Sequence, residues 1–263
     1  MIDSHLHLQD PVLFDNLNAV LYDAREAGVD KMVVNGTTPD DWASVSDLAQ
    51  SIPEVSAFYG LHPWYVNEYP DGWQESLRYI LTKNPLAGVG EIGLDKWIPN
   101  RDWVRQQEAF LTQLGFAHEL QRPATIHCLK AWGKLLECLD NSRFDGAFLL
   151  HSYSGPADLV NEFVERGSYF SISGYFFRQD KMAKLKVFEL VPEDRLLLET
   201  DAPDMMPPKA LIRKSIMRSE SGGPANHPAN LVGVYEAYSE WAGISMEETK
   251  AMMIQNFSAW HSR

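Results

Sequence analysis

The chain has 263 residues, with 36 acidic against 23 basic side chains and a formal net charge of −13. That balance argues against a broad basic surface for gripping nucleic acid, since phosphate binding is driven mainly by Lys and Arg. It leaves open a nucleic acid held locally by metal ions. Hydrophobic residues make up 45% and charged residues 22%, an ordinary globular composition, and no apolar run approaches the ~20 residues of a membrane span.

In chain order, the sequence repeats one unit: a short apolar, β-rich run, a few loop residues, then an amphipathic helix. The first strand is MIDSHLHL (1–8), followed by the helical LFDNLNAVLYDAREAG (13–28). Next come the strands KMVVNGT (31–37), VSAFYGLHP (55–63) and LAGVGEIGLD (86–95). In the helix RDWVRQQEAFLTQLGFAHELQ (101–121), Phe110, Leu114 and Ala117 recur at helical spacing as an apolar stripe. PATIHC (123–128) precedes the helix LKAWGKLLECLD (129–140), and the strands GAFLLHSYSG (146–155), SYFSISG (168–174) and RLLLETDAP (195–203) follow. A stretch rich in Pro, Ser and Gly at 204–229 reads as a long loop before the helix PANLVGVYEAYSEWAG (228–243). Strands alternating with helices imply parallel pairing with right-handed crossovers. Eight of them with no internal linker predict one (β/α)8 barrel spanning 1–263.

Catalytic groups in such barrels sit at the C-terminal ends of the strands. His5 and His7 lie on strand one, on the same face because side chains alternate. His62 ends strand three, Glu91 lies toward the end of strand four, His127 ends strand five, His151 ends strand six and Asp201 ends strand eight. Five of the eight histidines thus gather at one end of the predicted barrel; His118, His227 and His261 lie elsewhere. Four imidazoles and two carboxylates can hold two divalent ions with one carboxylate bridging them, an arrangement that activates water and stabilises an oxyanion. The mixed nitrogen and oxygen set suits zinc, manganese, iron or cobalt, with magnesium the less natural alternative.

The ordered set DSHLH, GLHPW, GEIGLD, IHC, HSYSG, SISG and ETDAP resembles the TatD family of metal-dependent hydrolases and deoxyribonucleases, within the wider amidohydrolase superfamily, from Met1 to about Asn256. The resemblance implies a (β/α)8 barrel with a binuclear site. By position, His5, His7, Glu91, His127, His151 and Asp201 match the family's metal ligands, and His62 matches a position near the substrate. It implies phosphodiester hydrolysis at DNA ends or on single-stranded DNA, exonucleolytic from a 3′ end, with Asp201 as general base. Two readings stand beside it: a small-molecule amidohydrolase, lactonase or phosphoesterase on the same barrel, and a non-catalytic interaction protein. The family's H-x-R-x-A after strand five is HCLKA here, with Leu129 and Lys130, and its R-N-E-P is ANHP, with His227 in place of Glu.

Other residues carry lesser expectations. Glu199 shares the face of Asp201 one layer deeper and could orient a ligand, and Asp95 is expected to fix its loop through backbone amides. Trp64, Tyr65, Trp97, Trp132, Tyr153, Tyr175, Phe176 and Phe177 fall in loops after strand ends, where aromatics either stack nucleobases or cover a barrel mouth. Cys128 and Cys138 are too few and wrongly spaced for a disulfide framework. With no basic and apolar leader at the start, the expected location is the cytoplasm. Neither an obligate protein partner nor an oligomeric state is legible.

Overall fold

The computed structural model describes residues 1–99, 102–218 and 222–262. Eight strands, β1 (Ile2–Leu6), β2 (Lys31–Asn35), β3 (Val55–Tyr59), β4 (Gly88–Asp95), β5 (Ala124–Leu129), β6 (Phe148–Leu150), β7 (Ser168–Ser173) and β8 (Leu196–Glu199), lie side by side in chain order. Each pairs parallel with the next. Each falls on a predicted strand, β5 running one residue beyond its predicted end.

The seam between β8 and β1 closes just beyond the regular strands. The Asp201 N–H donates to the His5 carbonyl at 2.9 Å and the His7 N–H to the Ala202 carbonyl at 2.8 Å. Below these bonds the buried Asp3 carboxylate accepts from the Thr200 amide at 2.9 Å and the Thr200 hydroxyl at 2.5 Å. The eight strands thus form a (β/α)8 barrel.

Alternation along the strands sorts the interior into layers. Val33, Phe58, Leu149, Tyr169 and Leu197 form an apolar floor together with Trp260 from the last helix, whose ring lies 5.4 Å from that of Phe58. Two residues onward along β6, β7 and β8 the same face carries His151, Ser171 and Glu199. The opposite strand faces pack Leu6, Val34, Ala57, Ile126, Leu150 and Leu198 into the main core with the surrounding helices.

Four local differences from the sequence reading have physical reasons. The stretch 13–28 is broken: a short helix Pro11–Phe14, with the Asp10 side chain accepting from the Val12 amide, precedes the helix Leu17–Glu26. Leu129 stays in β5, and the helix after it starts only at Trp132, because Lys130 turns the chain with φ +55°. Within 204–229, of which 219–221 lie outside the described residues, the described residues are more ordered than a bare loop. They hold a helical turn at Lys209–Leu211 and paired strands at Ile216–Met217 and Pro224–Ala225. The buried Asn230 pins them, its Oδ1 accepting from the amides of Arg213 at 2.6 Å and Lys214 at 2.9 Å. The fourth is a helix not picked out in the sequence, Met246–His261, which is opened by a reciprocal capping box between Ser245 and Glu248.

Candidate metal centre

Glu91 lies midway along β4, where the pairing with β5 shifts register between Val89 and Ile92. The motif GEIG is shaped by close backbone approach. Gly93 sits at φ +150°, and a Cβ there would fall 1.9 Å from the His127 carbonyl oxygen, so only glycine lets β4 and β5 meet at this level. The buried Glu91 side chain is thereby held at the middle of the strand-end face.

Its two oxygens face two groups of ligands. Oε2 lies 3.4 Å from both His5 Nε2 and His7 Nε2. Asp201 Oδ1 completes that side at 3.5 Å from His5 Nε2 and 3.6 Å from His7 Nε2. Oε1 lies 2.9 Å from His151 Nε2, 3.2 Å from His127 Nδ1 and 3.3 Å from His62 Nε2. Two ligands about 2.05 Å from one tetrahedral ion stand about 3.3 Å apart, so these separations are those of atoms arranged around cations.

Contacts away from the centre fix which ring nitrogen faces it. His7 Nδ1 donates to the Asn35 carbonyl at 2.8 Å, leaving the Nε2 lone pair inward. His127 Nε2 lies 3.0 Å from Asp95 Oδ2, so Nδ1 is the inward atom. Inward nitrogens consequently face one another: His5 Nε2 and His7 Nε2 at 3.3 Å, His127 Nδ1 and His151 Nε2 at 3.2 Å. With His7 and His127 turning lone pairs inward, the donor atoms of His5, His7 and Glu91, and those of His62, Glu91 and His127, gather within 4.8 Å of one another, close enough to share a cation. The residues therefore fit divalent ions.

Electrostatics point the same way. Burial opposes a charge on Glu91, but the surrounding imidazoles of His151, His62 and His5 hold its carboxyl well below the usual range. Burial likewise opposes the charge on Asp201, and His7, His5 and His151 outweigh it, lowering its pKa. Despite burial, His7 is pushed well above an ordinary imidazole by Asp201 and Glu91, and His151 by Glu91 and Glu199. This is a pocket organised for positive charge.

His62 behaves differently. It lies in the loop three residues past the end of β3, whereas the sequence reading places it at the end of the strand. Its Nδ1 accepts from the Trp64 amide at 3.2 Å, so the proton sits on Nε2, the atom turned toward Glu91. Burial lowers its pKa to about 4. It is a neutral hydrogen-bond donor at the edge of the ligand set.

Asp95 does fix its loop as expected, accepting from the Trp97 amide at 2.6 Å and the Ile98 amide at 3.3 Å. Its anchoring of His127, and of the Trp64 indole N–H at 2.7 Å, was not foreseen. The pairing of Asp95 with Leu129 across β4 and β5 creates that contact. Burial opposes its charge, but His127 and Trp64 bring its pKa down to about 2. Glu199 sits beneath His151, its Oε1 3.8 Å from His151 Nδ1, and accepts from the hydroxyls of Ser152 and Ser171.

A cleft of about 580 Å³ opens above the ligands. Trp64, Tyr65 and Tyr69 line one part of it, and Asp10, Asp41, Glu68 and Asp204 line others. Among the described residues, no lysine or arginine lines it. Of the aromatics named in the sequence, Trp64 and Tyr65 reach this cleft, while Trp132, Tyr153 and Phe176 are buried in the core. Tyr69 was not singled out. Lys130 is exposed and does not line the cleft. His227 is buried and structural, its Nδ1 accepting from the Ala229 amide at 3.0 Å.

Comparison with known proteins follows the same lines. A family model described as TatD related DNase matches residues 2–262. The 3′-5′ ssDNA/RNA exonuclease TatD of Pantoea vagans is 30% identical over 261 residues, covering 97% of both chains. The protein named uncharacterized metal-dependent hydrolase YjjV of Escherichia coli is 32% identical over 206 residues, 78% of this chain and 80% of its own. The crystal structure of the E. coli YjjV protein superposes with a TM-score of 0.89 at 28% identity, covering 100% of this chain and 98% of that one. An organophosphorus hydrolase from Deinococcus radiodurans shares the fold, with a TM-score of 0.63 at 15% identity, over 99% of this chain and 91% of its own.

Proposed function

The chain belongs to the TatD family of metal-dependent hydrolases, and from that premise we propose that it shortens single-stranded DNA or RNA from the 3′ end by hydrolysing the terminal phosphodiester. The supporting observation is the division of Glu91, with Oε2 toward His5, His7 and Asp201 and Oε1 toward His127 and His151. His5, His7 and Asp201 would hold one divalent ion and His127 and His151 a second, with Glu91 available to both sets. The nitrogen-rich donor set favours zinc or manganese over magnesium.

When bound, the pair supplies Lewis acidity and lowers the pKa of water. The chain's own residues do the rest. The Asp201 carboxylate oxygen not turned toward His5 and His7 accepts the proton of the attacking water, the geometric task of a general base. His62, neutral and with its proton on Nε2, donates a hydrogen bond to a phosphoryl oxygen. Asp95 and the Asn35 carbonyl hold His127 and His7 in the tautomers that offer lone pairs inward.

The test is turnover of single-stranded DNA, single-stranded RNA and duplex, each with free or blocked 3′ ends, at defined zinc, manganese or magnesium. Stepwise shortening from free 3′ ends, stopped by chelator, is expected. Metal analysis should give close to two ions per chain, falling to about one when His127→Ala and His151→Ala are combined. No shortening of any strand, together with turnover of a small ester or amide, would transfer the function to small-molecule hydrolysis.

A further inference from the structure

We propose that Trp64 is the stacking platform for the terminal nucleobase, so that the cleft recognises a strand end by its base rather than by its phosphates. The inference rests on the nuclease reading and names the part of the substrate that the protein holds.

The starting point is the charge of the cleft. A nucleotide brought to the metal centre carries a phosphodiester, yet the described lining offers no lysine or arginine to hold it and several acidic side chains that repel it. Beyond the metals, the described lining offers its favourable contacts to the uncharged part of the nucleotide. Trp64, Tyr65 and Tyr69 are the aromatic rings of the described lining, beside the apolar Pro11, Pro203 and Met205. Every base has a π-face, so stacking tolerates any sequence, as an enzyme working inward from an end requires.

Trp64 is distinguished among those rings by exposure and by anchoring. It is 45% exposed, while Tyr65 and Tyr69 are half-buried. Tyr69 is also held to the rim by its hydroxyl, which donates to Asp40 at 2.5 Å. The indole is set edge-on to His62, with ring centroids 5.1 Å apart at 86°. Its N–H is fixed on Asp95, the carboxylate that also orients His127. An exposed ring would ordinarily sample several rotamers, but this one is tied at its polar corner. A fixed apolar face beside the ligand set is what a base flanking the scissile phosphodiester needs.

The anchoring also supplies a competing account: Trp64 could act only through Asp95 and His127. Two variants and two substrates separate the accounts. Trp64→Ala removes both ring and N–H, whereas Trp64→Phe keeps a stacking face and loses the bond to Asp95. Each is assayed on a short single strand ending in an ordinary nucleotide and on one ending in an abasic residue. Stacking predicts a rise in KM of about 10- to 100-fold for Trp64→Ala on the ordinary end, with kcat changed much less. It also predicts little difference from wild type on the abasic end, and substantial recovery in Trp64→Phe.

Equal losses for Trp64→Ala on both ends, with Trp64→Phe as poor as Trp64→Ala, would overturn stacking in favour of positioning through Asp95. Unchanged kinetics in Trp64→Ala would overturn it as well. Both outcomes leave wild-type cleavage of the ordinary end intact. A wild-type protein that cleaves neither strand ends the nuclease reading, and the stacking role with it.

Discussion

Asp201 sits in the left-handed region of backbone space at φ +53°, where its amide is tied to the His5 carbonyl and its own carbonyl accepts from the Asp204 amide. Asparagine tolerates that conformation well, so Asp201→Asn should fold normally and keep one oxygen for a metal. It is a far weaker base. The expected outcome is near wild-type metal content with a rate loss on the order of 10²–10⁴, measured by metal analysis alongside single-turnover cleavage. Full activity would remove Asp201 from the proton-transfer role. At this scale the sequence shows residue types and faces well: period-two alternation is enough to put His5 and His7 together, and Glu199 on the interior face at the end of β8. Which imidazole nitrogen points inward is not legible, because it is decided by partners such as the Asn35 carbonyl and Asp95 that come from neighbouring strands. His62 likewise lacks a visible partner in the sequence, since Glu91 reaches it from the neighbouring strand β4.

Elements were more legible than their ends. The alternation of β-rich runs and amphipathic stretches reveals all eight strands, because each buries both faces and leaves a continuous apolar run. Breaks set by single residues escape that pattern, such as the turn at Lys130 or the Asn230 clamp on 204–229. His227 is another. It caps the helical turn Pro228–Asn230, and burial lowers its pKa from 6.5 to about 4. Between those values the unfolded chain binds a proton that the folded chain refuses. The stability this cap contributes is therefore complete above about pH 6.5 and is lost as pH falls toward 4. His227→Asn keeps an acceptor at the cap and does not titrate, so its unfolding free energy should fall less than that of the wild type between pH 7 and pH 5. His227→Ala should cost about 1 kcal/mol at pH 7. Urea unfolding at the two pH values checks both, and parallel curves for wild type and His227→Asn would refute the titration.

For the whole molecule, a net charge of −13 and a cleft without described cations make one physical statement. Few lysine or arginine contacts form with a bound strand, so few counterions are released. The logarithm of affinity should fall with the logarithm of salt at a slope of about −1 to −3, far shallower than for many-contact binders. Short single strands should be cut about as well as long ones, and duplex ends only as they fray. Measuring kcat/KM over graded lengths and salt at fixed metal tests this; a steep slope with preference for long duplex would reveal an extended basic groove. The seam of the barrel has a different consequence. Asp3 and Thr200, 197 positions apart, join the first and last strands, and His5, His7 and Asp201 stand directly above them. An ion held by those three side chains would clasp the first and last strands of the barrel, and by mass action its occupancy would add to the free energy of keeping the circle shut. Stripping the metal should speed amide exchange at His7 and Asp201 while leaving the middle of β5 protected. It should also expose the first and last strands to proteolysis before the rest. Identical exchange with and without metal would mean that the seam holds unaided. If it does not, loss of the ion marks a molecule for destruction as well as silencing it.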